Sequence, residues 1–388
     1  MSYYCKICGE ENCKKHSFPI GKSKSIKEFS GSSPPEIFVG KWNYPNVYTG
    51  ILAPQEYGST EILSSPELWH QQNLQIPEIL SFRNRLIYGR TQSNVKKPYS
   101  KKFLPIMQEV AMTHKSIATE FKLKKPISFH KESESSVPLI KNAAEINSVS
   151  LQENPKVKEK VNYLVNDTDV KSREAILELA KSGIENSSIT KILSAGLLGL
   201  KKNRKLVPTR WSITAVDDLL SKEKLKNIKF FQEISDYRVF HSYYLGNNYH
   251  FLLLPDKFSF EVLEISMQSF KVWKDYESYR GRKSYAESVT GAYYANRLAL
   301  TEYLEKIKRQ ASCIVFREIR AEYYAPLGVG ILRQTSRKAF ESPQIFQTLN
   351  ESLNKIRENL RININQFTSN SKILKEFGKQ TKLSKFLN

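Results

Sequence analysis

The sequence predicts an α+β protein built from two or three structural units. Two observations carry that reading. At 388 residues, with 40% hydrophobic and 11% aromatic content, the chain can bury a substantial core. Short apolar runs broken by Gly and Pro, which read as strands, are interspersed with stretches whose apolar residues recur at helical spacing.

The first element spans residues 1–18. Cys5, Cys8 and Cys13 are followed by His16 in the pattern C-x2-C-x4-C-x2-H. Gly9 behind the first pair suits a knuckle whose backbone N–H groups point at thiolates. Four such ligands within one short segment can close a tetrahedron around a structural Zn2+. The competing reading is a disulfide with a spare thiol, which an intracellular setting disfavours. Lys6, Lys14 and Lys15 decorate the finger, either as nucleic-acid contacts or as a solvated face. Residues 17–33 are rich in Ser, Lys and Gly and read as a loop.

Residues 34–121 form an N-terminal α/β region. Strands are expected at Ile37–Val39 and Asn46–Tyr48, and helices at Pro66–Gln72 and Ile76–Tyr88. Residues 122–171 are rich in Lys, Glu, Ser and Asn and read as a polar connecting segment.

Residues 172–225 read as a helical unit. A helix is expected over Arg173–Ser182, ended by Gly183. A second, capped by Ser187 or Ser188, covers Ile189–Ala195. A basic knot follows, with Lys201, Lys202, Arg204, Lys205 and then Arg210. Two short helices and a basic turn resemble a winged-helix DNA-binding unit; the alternative is a helical hairpin with a basic loop. Thr214 is expected to cap a helix over Ala215–Lys222, placing Asp217 and Asp218 in its first turn.

Residues 226–370 read as a C-terminal α+β domain. Strands are expected at Arg238–Tyr244, Asn248–Leu254 and Cys313–Tyr323, and a long helix at Val289–Ala311. Cys313 lies in an apolar stretch and is expected in the core. Alternation puts Glu318, Arg320 and Glu322 on one strand face, as an ion-paired edge or the floor of a cleft. Arg280, Arg282 and Lys283 flank Gly281 in a loop suited to a phosphate, or to a solvated basic turn. His241 and His250 fall in strands, where a lone histidine is more often a core residue than a base.

The last element, 378–388, contains Gln380, Leu383, Phe386 and Leu387 in the pattern Gln-x-x-aliphatic-x-x-aromatic-apolar. In one tight helical turn Leu383 and Phe386 project from the same side, so that with Leu387 they form an apolar plug. Gln380 can offer a donor and an acceptor to a polar pocket. This is the form of a peptide that docks on a DNA sliding clamp. The alternative is a basic terminus folded back on its domain. The expected fold is therefore α+β: a small N-terminal zinc finger, a mixed α/β body with a winged-helix-like unit, and a flexible clamp-binding tail.

Sixty Lys and Arg against 39 Asp and Glu give a net charge of +21, which calls for a polyanionic partner, most simply nucleic acid. Lys-rich surfaces also accompany life at high temperature, so charge alone is a weak sign. No apolar run spans a bilayer and no signal peptide opens the chain, so a cytoplasmic, nucleoid-associated protein is expected.

Several segments together resemble the archaeal Nre family, in its NreA type. They are Phe38-Val-Gly-Lys-Trp-Asn-Tyr-Pro45, Lys205-Leu-Val-Pro-Thr-Arg-Trp-Ser-Ile-Thr-Ala-Val-Asp-Asp218, Tyr279-Arg-Gly-Arg-Lys-Ser-Tyr-Ala286, Gly291-Ala-Tyr-Tyr-Ala-Asn-Arg-Leu-Ala299 and Arg317-Glu-Ile-Arg-Ala-Glu-Tyr-Tyr-Ala-Pro-Leu-Gly-Val329. The resemblance covers nearly the whole chain. It implies a DNA-repair protein working with the archaeal sliding clamp, PCNA. The family usually closes its metal site with a fourth cysteine at longer spacing, where this chain offers His16.

The sequence contains no G-x-x-x-x-G-K-[ST], G-x-G-x-x-G, G-x-S-x-G or H-E-x-x-H motif. Two readings follow. One is a non-catalytic DNA-repair factor that binds the clamp through its tail and nucleic acid through a basic surface. The other is a metal-dependent nuclease or other lesion-processing enzyme, drawing on Asp217, Asp218, Glu318 or Glu322. A third, an RNA- or ribosome-associated protein, explains the charge and the zinc but not the tail.

Overall fold

A computed structural model of the chain describes residues 25–99, 102–127 and 142–378. The expected zinc ligands Cys5, Cys8, Cys13 and His16 and the tail residues Gln380, Leu383, Phe386 and Leu387 lie outside the described residues. The chain divides into two units. The first runs to Val216 and includes Tyr324–Gly328; the second comprises Asp217–Tyr323 and the chain from Val329 on. Among the described residues no helix is long and apolar enough to cross a membrane.

The first unit is built on six strands: β1 (Ile26–Ser33), β2 (Ile37–Val39), β3 (Asn46–Ala53), β4 (Ile87–Asn94), β5 (Ile117–Ile127) and β6 (Asn142–Leu151). Their order is β1-β5-β6-β4-β3-β2, antiparallel except for the β4–β6 pair. In β5, Ile117, Thr119, Phe121 and Leu123 are buried while Lys122 and Lys124 face solvent. That alternation is what a one-sided sheet requires. It also explains why the polar stretch 122–171, expected as a connection, instead holds the end of β5, the whole of β6 and a helix. Gly89 of β4 has no side chain because Phe121 lies on it: a Cβ there would stand 2.7 Å from the ring.

Helices α1 (Pro66–Gln71), α2 (Ile76–Asn84), α3 (Phe103–Met112), α4 (Glu159–Asn166), α5 (Ser172–Lys181) and α6 (Asn186–Ser194) complete the unit. Ser65 caps α1, with Pro66 in the first turn, and Glu78 of α2 accepts from the Gln75 backbone at 2.7 Å. After α6 the chain forms a 3-10 turn, Lys201–Asn203, and then α7 (Thr209–Ile228). No strand lies between α5 and α7, so the segment is helical and lacks the hairpin a wing needs. Helix α7 starts earlier than expected, because Pro208 Oxygen accepts from Trp211 and Ser212 at 2.8 and 3.0 Å. Asp217 and Asp218 therefore sit in mid-helix.

The second unit has strands β7 (Tyr237–Tyr244), β8 (Asn247–Leu254), β9 (Ser259–Ser266), β10 (Val272–Glu277), β11 (Ser312–Ile319) and β12 (Gln344–Phe346). Their order is β10-β9-β11-β8-β7-β12, with only β9 and β11 parallel. Helices α8 (Gly291–Ile307), α9 (Val329–Ala339), α10 (Leu349–Asn359), α11 (Asn365–Thr368) and α12 (Lys372–Glu376) flank it. Both faces of the sheet are covered. Cys313 and Val315 of β11 pack with Tyr293 of α8 and Leu332 of α9, while Ile314 and Phe316 pack with Ile356, Phe367 and Ile373. Strands buried on both faces read as continuous apolar runs, as β8 does. Of the two readings of the Glu318 face, an ion-paired edge or the floor of a cleft, the edge is overturned, since β11 is interior, between β9 and β8.

Candidate nucleic-acid interface

The first unit displays large aromatic rings to solvent. Trp42 is 77% exposed, Tyr44 48% and Trp211 46%. Tyr44 and Trp211 lie with ring centroids 5.6 Å apart, and Lys41 Nζ stands 4.4 Å from the Trp42 ring centroid. Exposed rings of this size cost solvation and commonly mark a binding surface.

Backbone hydrogen bonds hold the patch in place. In the turn between β2 and β3, Asn43 takes a left-handed backbone at φ 61°, a conformation Asn tolerates, and its carbonyl accepts from Asn46 at 2.8 Å. Pro45 O accepts from Val95 N at 2.9 Å, and Val95 O accepts from Leu206 N at 2.9 Å. Val39 N donates to Thr209 Oγ1 at 2.9 Å. Three separate segments are thus tied side by side, with Lys96, Lys97, Lys205 and Arg210 exposed along them. Cations interleaved with exposed aromatic rings suit a strand whose bases are unpaired.

The expected basic residues divide on inspection. Lys201, Lys202, Lys205 and Arg210 are exposed. Arg204 is buried: its guanidinium donates to Gly199 O at 2.8 Å and Asp167 O at 2.9 Å, holding the turn together rather than facing solvent.

In the second unit Arg280 and Lys283 are exposed, whereas Arg282 folds back on its own loop. It donates to Tyr276 O at 3.0 Å and Tyr285 O at 2.9 Å and pairs with Asp275 at 3.0 Å. Arg297 of α8 is fully buried and binds Glu277 at 2.9 Å, Ser221 at 3.1 Å and Asp218. Burial works against its charge, but Glu277, Tyr293 and Asp218 outweigh it and raise its pKa.

The four carboxylates considered for a nuclease are held by arginines or backbone amides. Asp217 is gripped by Arg333 and Asp218 by Arg297. Glu318 accepts from Arg320 and from the backbone of Arg361 and Ile362, and Glu322 pairs with Arg361. Among the described residues no three His, Cys, Asp or Glu side chains gather as metal ligands.

His241 and His250 stack at 4.5 Å. His241 bonds Asn248 Oδ1 at 2.8 Å, while neither ring nitrogen of the buried His250 has a hydrogen-bond partner. Burial, then His241 and Arg320, pushes the His250 pKa down to about 3.

Residues 3–274 match the archaeal Nre N-terminal family, and residues 277–386 match the archaeal Nre C-terminal family. The chain belongs to the archaeal Nre family. The junction between the two Nre matches falls within β10, well past the structural division at Val216. Among its relatives, the DNA repair protein NreB of Archaeoglobus fulgidus is 34% identical over 93% of this chain and 92% of its own length. The DNA repair protein NreA of the same organism is 34% identical over 89% of this chain and 90% of its own. The DNA repair protein NreA of Haloferax volcanii is 32% identical over 86% of this chain and 83% of its own. No solved structure matches the chain.

Basic residues were the legible part of this interface. Charge alone does not mark Trp42, Tyr44 and Trp211 as contacts, although each lies within a family segment. The signal that finds them is a large ring flanked by polar residues where an apolar one should be buried.

Proposed function

We propose that this Nre protein is a DNA-repair factor that binds single-stranded nucleic acid through the aromatic and basic surface of its first unit. The exposed rings of Trp42, Tyr44 and Trp211 among Lys41, Lys96, Lys205 and Arg210 carry this reading. The repair context rests on relatives named as DNA repair proteins. Lys201 and Lys202 extend the electrostatic footprint, and unpaired bases stack on the rings.

The tail residues Gln380, Leu383, Phe386 and Leu387 tether the protein to the sliding clamp PCNA. A clamp tether raises the local concentration of the protein at DNA, so modest nucleic-acid affinity suffices. Cys5, Cys8, Cys13 and His16 hold a structural Zn2+; the spacing and ligand chemistry support this. The arginine-held carboxylates favour a binding factor over a carboxylate-and-metal nuclease.

The test is titration of a fluorescent single-stranded oligonucleotide into the intact chain and into Trp42→Ala and Trp211→Ala variants. Unchanged affinity in both variants would overturn the reading. Calorimetry against the clamp, with Phe386→Ala and Leu387→Ala, tests the tail separately.

A further inference from the structure

The loop from Tyr279 to Ala286 builds a second, independent site in the second unit. Gly281 turns the chain at φ 84°, a left-handed conformation open to glycine. The Arg282 guanidinium then acts as an internal strut: besides its bonds to Tyr276 and Tyr285 it donates to Ser284 O at 3.3 Å. Asp275 holds Arg282 and also accepts from the backbone of Ser288 and Val289 at 3.0 and 2.7 Å. Ala286 N donates to Tyr294 Oη at 2.9 Å, closing the loop onto α8. A loop braced this heavily is preformed, and it turns Lys283, Ser284 and Tyr285 outward.

Those three residues line a cavity of about 160 Å³ together with Asp218 and Lys222 of α7 and Tyr294 and Arg297 of α8. Its charges have distinct roles. Arg282 and Arg297 are neutralised from behind by Asp275 and Glu277. The rim keeps Lys283, exposed and with no ion pair among the described residues, and Lys222, which pairs with Asp218 at 2.8 Å. An anion can displace Asp218 as the partner of Lys222, which frees a carboxylate oxygen to accept from a hydroxyl. Tyr285 is 48% exposed and leans on Tyr294 with ring centroids 5.1 Å apart, leaving a braced aromatic face.

A ligand matching all three features carries a phosphate, a sugar hydroxyl and a flat ring. We propose that the cavity binds a nucleoside 5′-monophosphate unit, with the phosphate on Lys222, Lys283 and Ser284, the sugar hydroxyl on Asp218 and the base stacked on Tyr285. Its volume accommodates the phosphate and sugar, and the base lies outside against the tyrosine. The phosphate and the stacked base are common to a free nucleotide and to the 5′-phosphorylated end of a DNA strand, whereas only the free nucleotide offers Asp218 a sugar hydroxyl. The site involves none of the rings of the first unit, so it stands or falls apart from the surface described above.

Binding is measured with the full chain and four probes: dAMP, inorganic phosphate, and a short single-stranded oligonucleotide with either a 5′-phosphate or a 5′-hydroxyl. All are run on Trp42→Ala, Trp211→Ala protein, so that the first surface does not mask the second. The expected result is that dAMP or the phosphorylated oligonucleotide binds at least about tenfold more tightly than inorganic phosphate or the hydroxyl oligonucleotide. Lys283→Ala and Tyr285→Ala, both changes at exposed positions, should each weaken that binding by about tenfold. Tight dAMP binding assigns a free nucleotide; binding of the phosphorylated oligonucleotide alone assigns a strand end. Equal affinity for phosphate and dAMP with no effect of Tyr285→Ala, or no binding of any probe, overturns the proposal.

Discussion

Arg333 of α9 grips Asp217 of α7 with two near-parallel hydrogen bonds, Nε to Oδ1 at 3.0 Å and Nη2 to Oδ2 at 2.8 Å, both side chains being buried. The pair locks one helix to the other inside the second unit. Removing either partner alone leaves an uncompensated buried charge, which costs about 3–5 kcal/mol. Asp217→Ala is therefore expected to lower the denaturant midpoint sharply. Asp217→Leu combined with Arg333→Met should recover most of the loss, because no charge is then stranded. A single variant within about 0.5 kcal/mol of the parent, in the range of an ordinary surface change, would show that the pair does not hold the helices.

Arg204 separates structural from surface cations within one short basic run. Its two bonds to backbone carbonyls, one buried and one part-buried, are charge-assisted, and their loss with Arg204→Ala is expected to cost about 2–3 kcal/mol. Lys201→Ala, on the exposed turn nearby, should leave stability within about 0.5 kcal/mol of the parent. Arg204→Lys should not rescue, since a single ammonium cannot span both carbonyls. Chemical denaturation of the three variants checks the order, and equal stability of Arg204→Ala and Lys201→Ala would refute it.

The contrast marks what was legible in the chain. Lys201, Lys202, Arg204 and Lys205 are indistinguishable as a run of charges; only the fold turns one of them inward. The strands β2, β7 and β8 and the helices α1, α5 and α8 follow from local periodicity and appear within a few residues of expectation. Longer-range features did not. The position of β11 inside its sheet depends on a parallel pairing with β9, which no local pattern encodes. The polar alternation of β5 and β6 resembles a linker because the exposed face of a one-sided sheet is itself polar, with Lys122 and Lys124 on β5 and Glu145, Asn147 and Ser150 on β6. The convergence of Asp218, Glu277 and Arg297 joins three segments far apart in sequence, each carrying an unremarkable charge.

His250 sets a pH dependence of stability. Its pKa is held down to about 3 by burial, with His241 and Arg320 adding to the effect, against about 6.5 for an unfolded histidine. Between those values the unfolded chain binds a proton that the folded chain refuses. The contribution of this residue is therefore intact above about pH 6.5 and is lost as pH falls, by at most about 1.4 kcal/mol per unit. Replacing His250 by Phe removes the titrating group while keeping a ring against His241. The fall in denaturation midpoint between pH 6 and 4 should be shallower in that variant than in the parent. Identical slopes would mean that His250 does not titrate on unfolding.

The aromatic surface makes a prediction in which stability and binding part company. Trp42 is 77% exposed, so truncating it to Ala should leave the melting temperature nearly unchanged, whereas truncating Trp211, half covered and in contact with Tyr44, should lower it modestly. Base stacking on an aromatic ring is worth about 1–3 kcal/mol by such truncation, or about 5- to 150-fold in affinity. Each variant is expected to weaken single-strand binding within that range while keeping the same salt dependence, because no phosphate contact is lost. Lys205→Ala and Arg210→Ala should do the reverse. They weaken binding modestly and flatten the slope of log affinity against log salt by about 0.7 per contact removed. Oligonucleotide titrations at three salt concentrations distinguish the two classes. A tryptophan variant that changed the slope and not the low-salt affinity would show that the rings do not stack on bases.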